Sequence, residues 1–111
     1  MTLGEIKALL VSADPGIRHY FSMHGSEEPY SYWEETQQIG RVRDDRHSVT
    51  DQAWRFYVHR YTKTEGDPVA AAIFEALDAD PRTTVIWLIE REPRTDEDDG
   101  YIHHIFECEG Y

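Results

Sequence analysis

The chain has 111 residues, 22 acidic against 11 basic side chains, a net charge of −11 and one cysteine, Cys108, which cannot close an internal disulfide. One domain spanning residues 1–111 is expected, and at this size folding buries about two thirds of the surface the unfolded chain exposes, so no metal or disulfide staple is needed. The acid excess excludes attachment to nucleic acid or anionic lipid through a basic patch. A single cysteine fits a reducing cytoplasm, the first ten residues lack the pattern of a signal peptide, and the longest apolar run, residues 69–74, is far short of a bilayer span; a soluble protein is expected.

The first predicted element is a short helix. Thr2 and Glu5 have the spacing of a capping box, and Leu3, Ile6 and Leu10 fall on one face with Leu9 alongside. Asp14-Pro15-Gly16 stops it. Residues 17–23 predict a strand, with Ile17, His19 and Phe21 on one side and Tyr20 on the other; residues 24–29 have the composition of a turn. Residues 30–35 predict a second strand rich in aromatics, which suit a pleated surface. Residues 36–51 are polar and nearly aperiodic, and are expected to form an extended, mobile arm.

A period of two returns over 52–62. Trp54, Phe56 and Val58 share one face, while Arg55, Tyr57, His59 and Tyr61 share the other, an amphipathic set suited to partial cover by a neighbouring chain. Asp67 as N-cap and Pro68 at the first helical position open a second helix, whose Val69, Ala72, Ile73, Ala76 and Leu77 form its apolar stripe. Its alanines keep the stripe thin, which allows close approach to a sheet. Asp80-Pro81 ends it. Residues 84–90 are apolar on both faces and predict a central strand, covered on both sides or by an oligomer partner. A hairpin with an acidic tip, Asp96, Glu97, Asp98 and Asp99, leads into a last strand at 101–109. There Ile102, His104, Phe106 and Cys108 alternate with Tyr101, His103, Ile105 and Glu107. The fold class is α+β, order α-β-β-β-α-β-β, with a mainly antiparallel sheet and two helices packed on one face.

Six histidines invite a metal reading, but no two stand four apart as on a zinc-binding helix, and no cysteine pair accompanies them. His103 and His104 are strand neighbours, so they point to opposite faces. The acidic tip has its glycine one place too early for an EF-hand, counted from Asp96, and a strand follows where a helix should. No serine lies in a nucleophile turn, no glycine-rich phosphate loop is present, and the acids flanking Cys108 blunt its reactivity. No catalytic, metal or cofactor site is expected, and the chain is not read as an enzyme. The surplus of tyrosine and tryptophan points instead to contacts between chains.

Three segments, Pro29-Tyr30-Ser31-Tyr32-Trp33-Glu34-Glu35, Trp54 to Lys63 running on to Asp67-Pro68, and Asp96 to His104, resemble in order and spacing the small tail-completion proteins of siphophages and prophages. The likeness covers most of the chain, without a diagnostic motif. It implies a structural, tail-terminator-like protein that caps the tail tube, as a ring (a hexamer in the family), and joins it to the head connector. The expected partners are copies of itself, tail-tube proteins and head-connector proteins, with no membrane and no specific nucleic acid. The expected location is the host cytoplasm during assembly, then the virion tail at the head–tail junction. Candidate subunit-interface residues are Tyr30, Tyr32, Trp33, Ile39, Tyr57 and Tyr61; candidate channel- or solvent-facing acids are Asp96, Glu97, Asp98 and Asp99. Alternatives are a head-completion or connector factor, and a small acidic inhibitor that mimics DNA.

Overall fold

A computed structural model of the chain describes residues 1–20, 29–40, 53–91 and 100–111. It is an α+β fold with the expected element order: α1 (Leu3–Ala13), β1 (Arg18–His19), β2 (Tyr30–Ile39), β3 (Ala53–Thr62), α2 (Pro68–Ala79), β4 (Thr83–Arg91) and β5 (Ile102–Gly110). The five strands form one sheet in the order β1-β2-β3-β5-β4. β1 pairs in parallel with β2, and every other pairing is antiparallel.

Local chemistry sets the helix starts. The Thr2 hydroxyl accepts from the Glu5 amide at 3.1 Å while the Glu5 carboxylate accepts from the Thr2 amide at 3.0 Å, the reciprocal box its spacing predicts. Asp67 caps α2 by accepting from the Ala70 amide at 2.9 Å, with Pro68 following. Ile6 and Leu10 of α1, and Ala70, Ile73 and Leu77 of α2, then meet one face of the sheet. That face supplies Trp33, Phe56, Val58, Phe106 and Cys108, and together these side chains form the core. Each fully buried Leu, Ile or Phe contributes about 1.5–3 kcal/mol. The alternations read in the third and last strands are those observed: Phe56 and Val58 lie under the helices, as do Ile102, His104, Phe106 and Cys108.

Three expectations need correction. β1 is only Arg18–His19, parallel to β2; the rest of the predicted first strand, 21–23, lies outside the described residues. β2 runs on to Ile39 through a register shift between Glu35 and Gln37, so the polar stretch 36–39 is strand and not arm. Pairing with Arg55, Trp54 and Ala53 supplies the hydrogen bonds that its composition does not advertise. The rest of the predicted arm, 41–51, and the acidic tip Asp96–Asp99 lie outside the described residues.

The third correction is the largest. β4 is not central: among the described residues it is the outermost strand, paired only with β5. α2 covers its Val85 and Trp87 from one side, leaving Ile86, Leu88 and Ile89 exposed at 59%, 42% and 50%. An apolar run reports which side chains avoid water, not whether a neighbour from the same chain covers them.

A buried ion pair ties the helices to the sheet. Arg60, 6% exposed, points from β3 to the helix side and grips Asp67 with two hydrogen bonds, Nε at 2.9 Å and Nη2 at 3.3 Å. Its Nη1 donates to Ser31 Oγ on β2 at 3.2 Å and lies 3.9 Å from Asp14 Oδ2 at the end of α1. Burial alone would raise the Asp67 pKa, but Arg60 and the Ala70 amide outweigh it and hold the carboxyl below its usual value.

Candidate functional site

Because both helices sit on one side, the other face of the sheet is left without cover among the described residues. Period-two alternation decides what it carries. β2 contributes Tyr30, Tyr32 and Glu34; β3 contributes Arg55, Tyr57, His59 and Tyr61; β5 contributes His103, Ile105, Glu107 and Glu109; and β4 contributes Thr84, Ile86, Leu88 and Glu90.

The register places these side chains in rows across the strands. Tyr30 stacks on Tyr61 with ring centroids 4.8 Å apart, and Tyr61 stacks on His103 at 4.1 Å. In the next row Tyr32 stacks on His59 at 4.5 Å, and His59 lies 5.1 Å from His103. Aromatic pairs directly opposite across strands contribute roughly 0.2–1 kcal/mol each and fix one another's rotamers. At the far end Arg55 donates to Glu109 Oε1 at 3.0 Å and to Gln37 Oε1 at 3.2 Å. A shallow groove of about 300 Å³ crosses the sheet there, lined by Arg55, Tyr57, Thr84, Ile86, Glu107 and Glu109.

The centre of the face holds a titratable chain that sequence reasoning missed. His59 Nδ1 and His103 Nε2 are 2.9 Å apart, so only one of these nitrogens carries a hydrogen. On the outer sides, Glu34 Oε1 stands 3.5 Å from His59 Nε2, and Glu90 Oε2 stands 3.9 Å from His103 Nδ1. Burial lowers the pKa of both rings; the neighbouring His59 pushes His103 further, to about 4, whereas Glu34 partly restores His59. Both rings are therefore neutral at pH 7. The two residues are 44 apart in the chain, and only the β3–β5 register brings them together. His104, on the opposite face as expected, accepts from Trp87 Nε1 at 3.1 Å and is also held neutral, chiefly by burial.

The candidate interface residues divide. Tyr30, Tyr32, Tyr57 and Tyr61 lie on the open face, and Ile39 is half-buried at the end of β2. Trp33, 1% exposed, packs edge-on against Phe56 in the chain's own core. Burial, and then Glu107, raise the Cys108 thiol far above its ordinary pKa, so burial outranks the acidic flanks as the cause. Among the described residues no group of three or more His, Cys, Asp or Glu is arranged to hold a metal. No helix among them is long and apolar enough to cross a membrane.

No family model and no curated protein matches the chain. Among solved structures it is similar to a chain in the virion of a native gene transfer agent particle. The sequence identity is 17%, the TM-score 0.42, and the match covers 93% of this chain and 83% of that one. Likeness of this degree assigns no role.

Proposed function

We propose that this chain is a structural subunit of a phage or prophage virion, of the tail-completion kind. It assembles with copies of itself into a ring at the head–tail junction and contacts the tail tube on one side and the head connector on the other. It works by binding and not by catalysis, and is put together in the host cytoplasm before joining the tail. The observation that carries this reading is the open sheet face. Four tyrosines, two neutral histidines, Ile86, Leu88 and Ile105 share one surface with no helix over it among the described residues. Enrichment in tyrosine is a compositional mark of protein–protein contacts. The order of aromatic strand, Asp-Pro helix and hairpin, which resembles tail-completion proteins, gives the contact its setting.

The DNA-mimic alternative calls for regular rows of carboxylates. On this face Glu34, Glu90, Glu107 and Glu109 are instead dispersed among aromatic and aliphatic side chains, and Glu109 is engaged by Arg55. A strongly acidic ring suits a channel that passes DNA without holding it.

Purified protein mixed with uncapped tail tubes, viewed by negative-stain microscopy, is expected to show a ring on one end of each tube. Substituting Tyr32→Ala together with Tyr57→Ala is expected to abolish that decoration while the fold persists. Protein that stays off the tubes at every concentration refutes the reading.

A further inference from the structure

β4 has features that edge strands of monomeric proteins ordinarily avoid. Such edges are blunted by lysine, proline, bulges or shortness, because their unpaired amides and carbonyls are templates for another strand. β4 has none of these devices: Thr83–Arg91 is regularly paired to β5 along its length and has an uncharged, apolar middle. Three aliphatic side chains of that middle, Ile86, Leu88 and Ile89, are each at least 42% exposed. Among the described residues no strand lies beyond it.

We infer that two copies of this chain pair through β4, antiparallel, about a two-fold axis normal to the sheet at Trp87. The register follows from the sequence of the strand. An axis normal to the sheet keeps each side chain on its own face, so it passes through a residue and not between two. Centred on Trp87, Ile86 meets Leu88 of the partner subunit on the open face, and Val85 meets Ile89 of the partner subunit on the helix face. Glu90 and Arg91 then fall beside the partner's Thr84 and Thr83. Centred on Ile86, Leu88 and Ile89 would lie against threonines; centred on Leu88, Ile86 and Val85 would lie against Glu90 and Arg91. Only the Trp87 register matches the apolar block with itself, and apolar cross-strand matching is what stabilises a register. A parallel pairing in register would set Glu90 against Glu90 and Arg91 against Arg91, which like-charge repulsion disfavours.

The two five-stranded sheets then run on as one, with all helices on one side and the exposed aliphatics of both copies in contact. Because each copy carries a charge of −11, electrostatics oppose the pairing and salt relieves that opposition. This contact does not rest on the tail-completion reading, and its test is separate.

Sedimentation velocity over a concentration series is expected to show a monomer–dimer equilibrium whose dimer fraction rises with added salt. Leu88→Lys, at an exposed position, is expected to weaken the dimer at least tenfold while its melting curve stays close to that of the parent. Under mild oxidation the double variant Thr84→Cys with Glu90→Cys is expected to form a covalent dimer, and Thr84→Cys alone is not. A protein that stays monomeric throughout the series overturns the proposal. So does a dimer indifferent to Leu88→Lys, or cross-linking by Thr84→Cys alone. A larger ring that survives Leu88→Lys also overturns it, while leaving the tail-completion reading standing.

Discussion

The paired histidines on the open face make stability depend on pH within a window that the carboxylates do not share. His103 has a folded pKa of about 4, against about 6.5 when unfolded. The folded chain therefore binds fewer protons than the unfolded chain between those values, and stability falls as pH falls through them. Full burial would set the loss between pH 7 and pH 5 at about 2 kcal/mol. Some solvent reaches the ring, whose side chain is 13% exposed, so about 1–2 kcal/mol is the expected loss. His59 acts in the same sense through the shared hydrogen, and Glu34 opposes it weakly. The groups with lowered carboxyl pKa values, Asp67 and Glu35 among them, lose their contributions at lower pH, below the unfolded carboxylate range. The test is urea unfolding at pH 7 and at pH 5 for the parent and for His103→Phe, which keeps a ring to stack on Tyr61. The parent is expected to lose at least the stated amount, equivalent to a drop in Tm of about 4–8 °C for each kcal/mol, and the variant is expected to lose less than the parent by about that amount, its remaining loss being that of His59 and His104. Identical pH dependence in the two proteins, or a parent that gains stability on acidification, refutes the reasoning.

Arg60→Met removes the guanidinium that holds Asp67 and is expected to cost about 3–5 kcal/mol in chemical denaturation, because a buried carboxylate loses its ion-pair partner. Asp67→Ala loses both the cap on α2 and the ion pair, so its cost should exceed the about 1 kcal/mol of an ordinary cap, and the double variant should be far less than additive. Gly110→Ala would place a methyl 2.9 Å from Met1 Sδ and 3.4 Å from Phe56 Cε1; the methionine can swing but the core ring cannot, and a drop of about 1 kcal/mol is expected by thermal melting. Cys108 is expected to resist a thiol reagent in the native protein and to react at the rate of a free thiol in urea, since burial both hides the sulfur and holds it protonated.

The helix caps, the stripe of α1 and the two-residue alternation of β3 and β5 were legible in the sequence because each is a local code, complete within a few residues; the stripe of α2 was legible only at Ile73 and Leu77, with Ala70 buried beside them in place of Ala72 and Ala76. The open aromatic face was half legible: Tyr57, His59 and Tyr61 could be seen to share a side of one strand, but not to stand over Tyr30, Tyr32 and His103. The His59–His103 contact left no local signal at all, since it needs the pairing of two strands and a register exact to one residue. Residues 36–39 read as an arm because polar side chains on an edge-facing strand look like loop until the partner strand's hydrogen bonds are known. Trp33 illustrates the same limit, since strand alternation separates it from Tyr30 and Tyr32 only when one knows which face the helices cover.

By itself the sequence determined the elements, their order, the caps and the inner faces of β3 and β5, because covalent neighbours and periodicity suffice for these. Tertiary structure decided that β4 lies at the edge of the described sheet, that Arg60 is buried against Asp67, and that one face of the sheet carries no helix among the described residues. Those outcomes depend on the order of strands in the sheet, a property of long-range pairing free energies that no local pattern encodes.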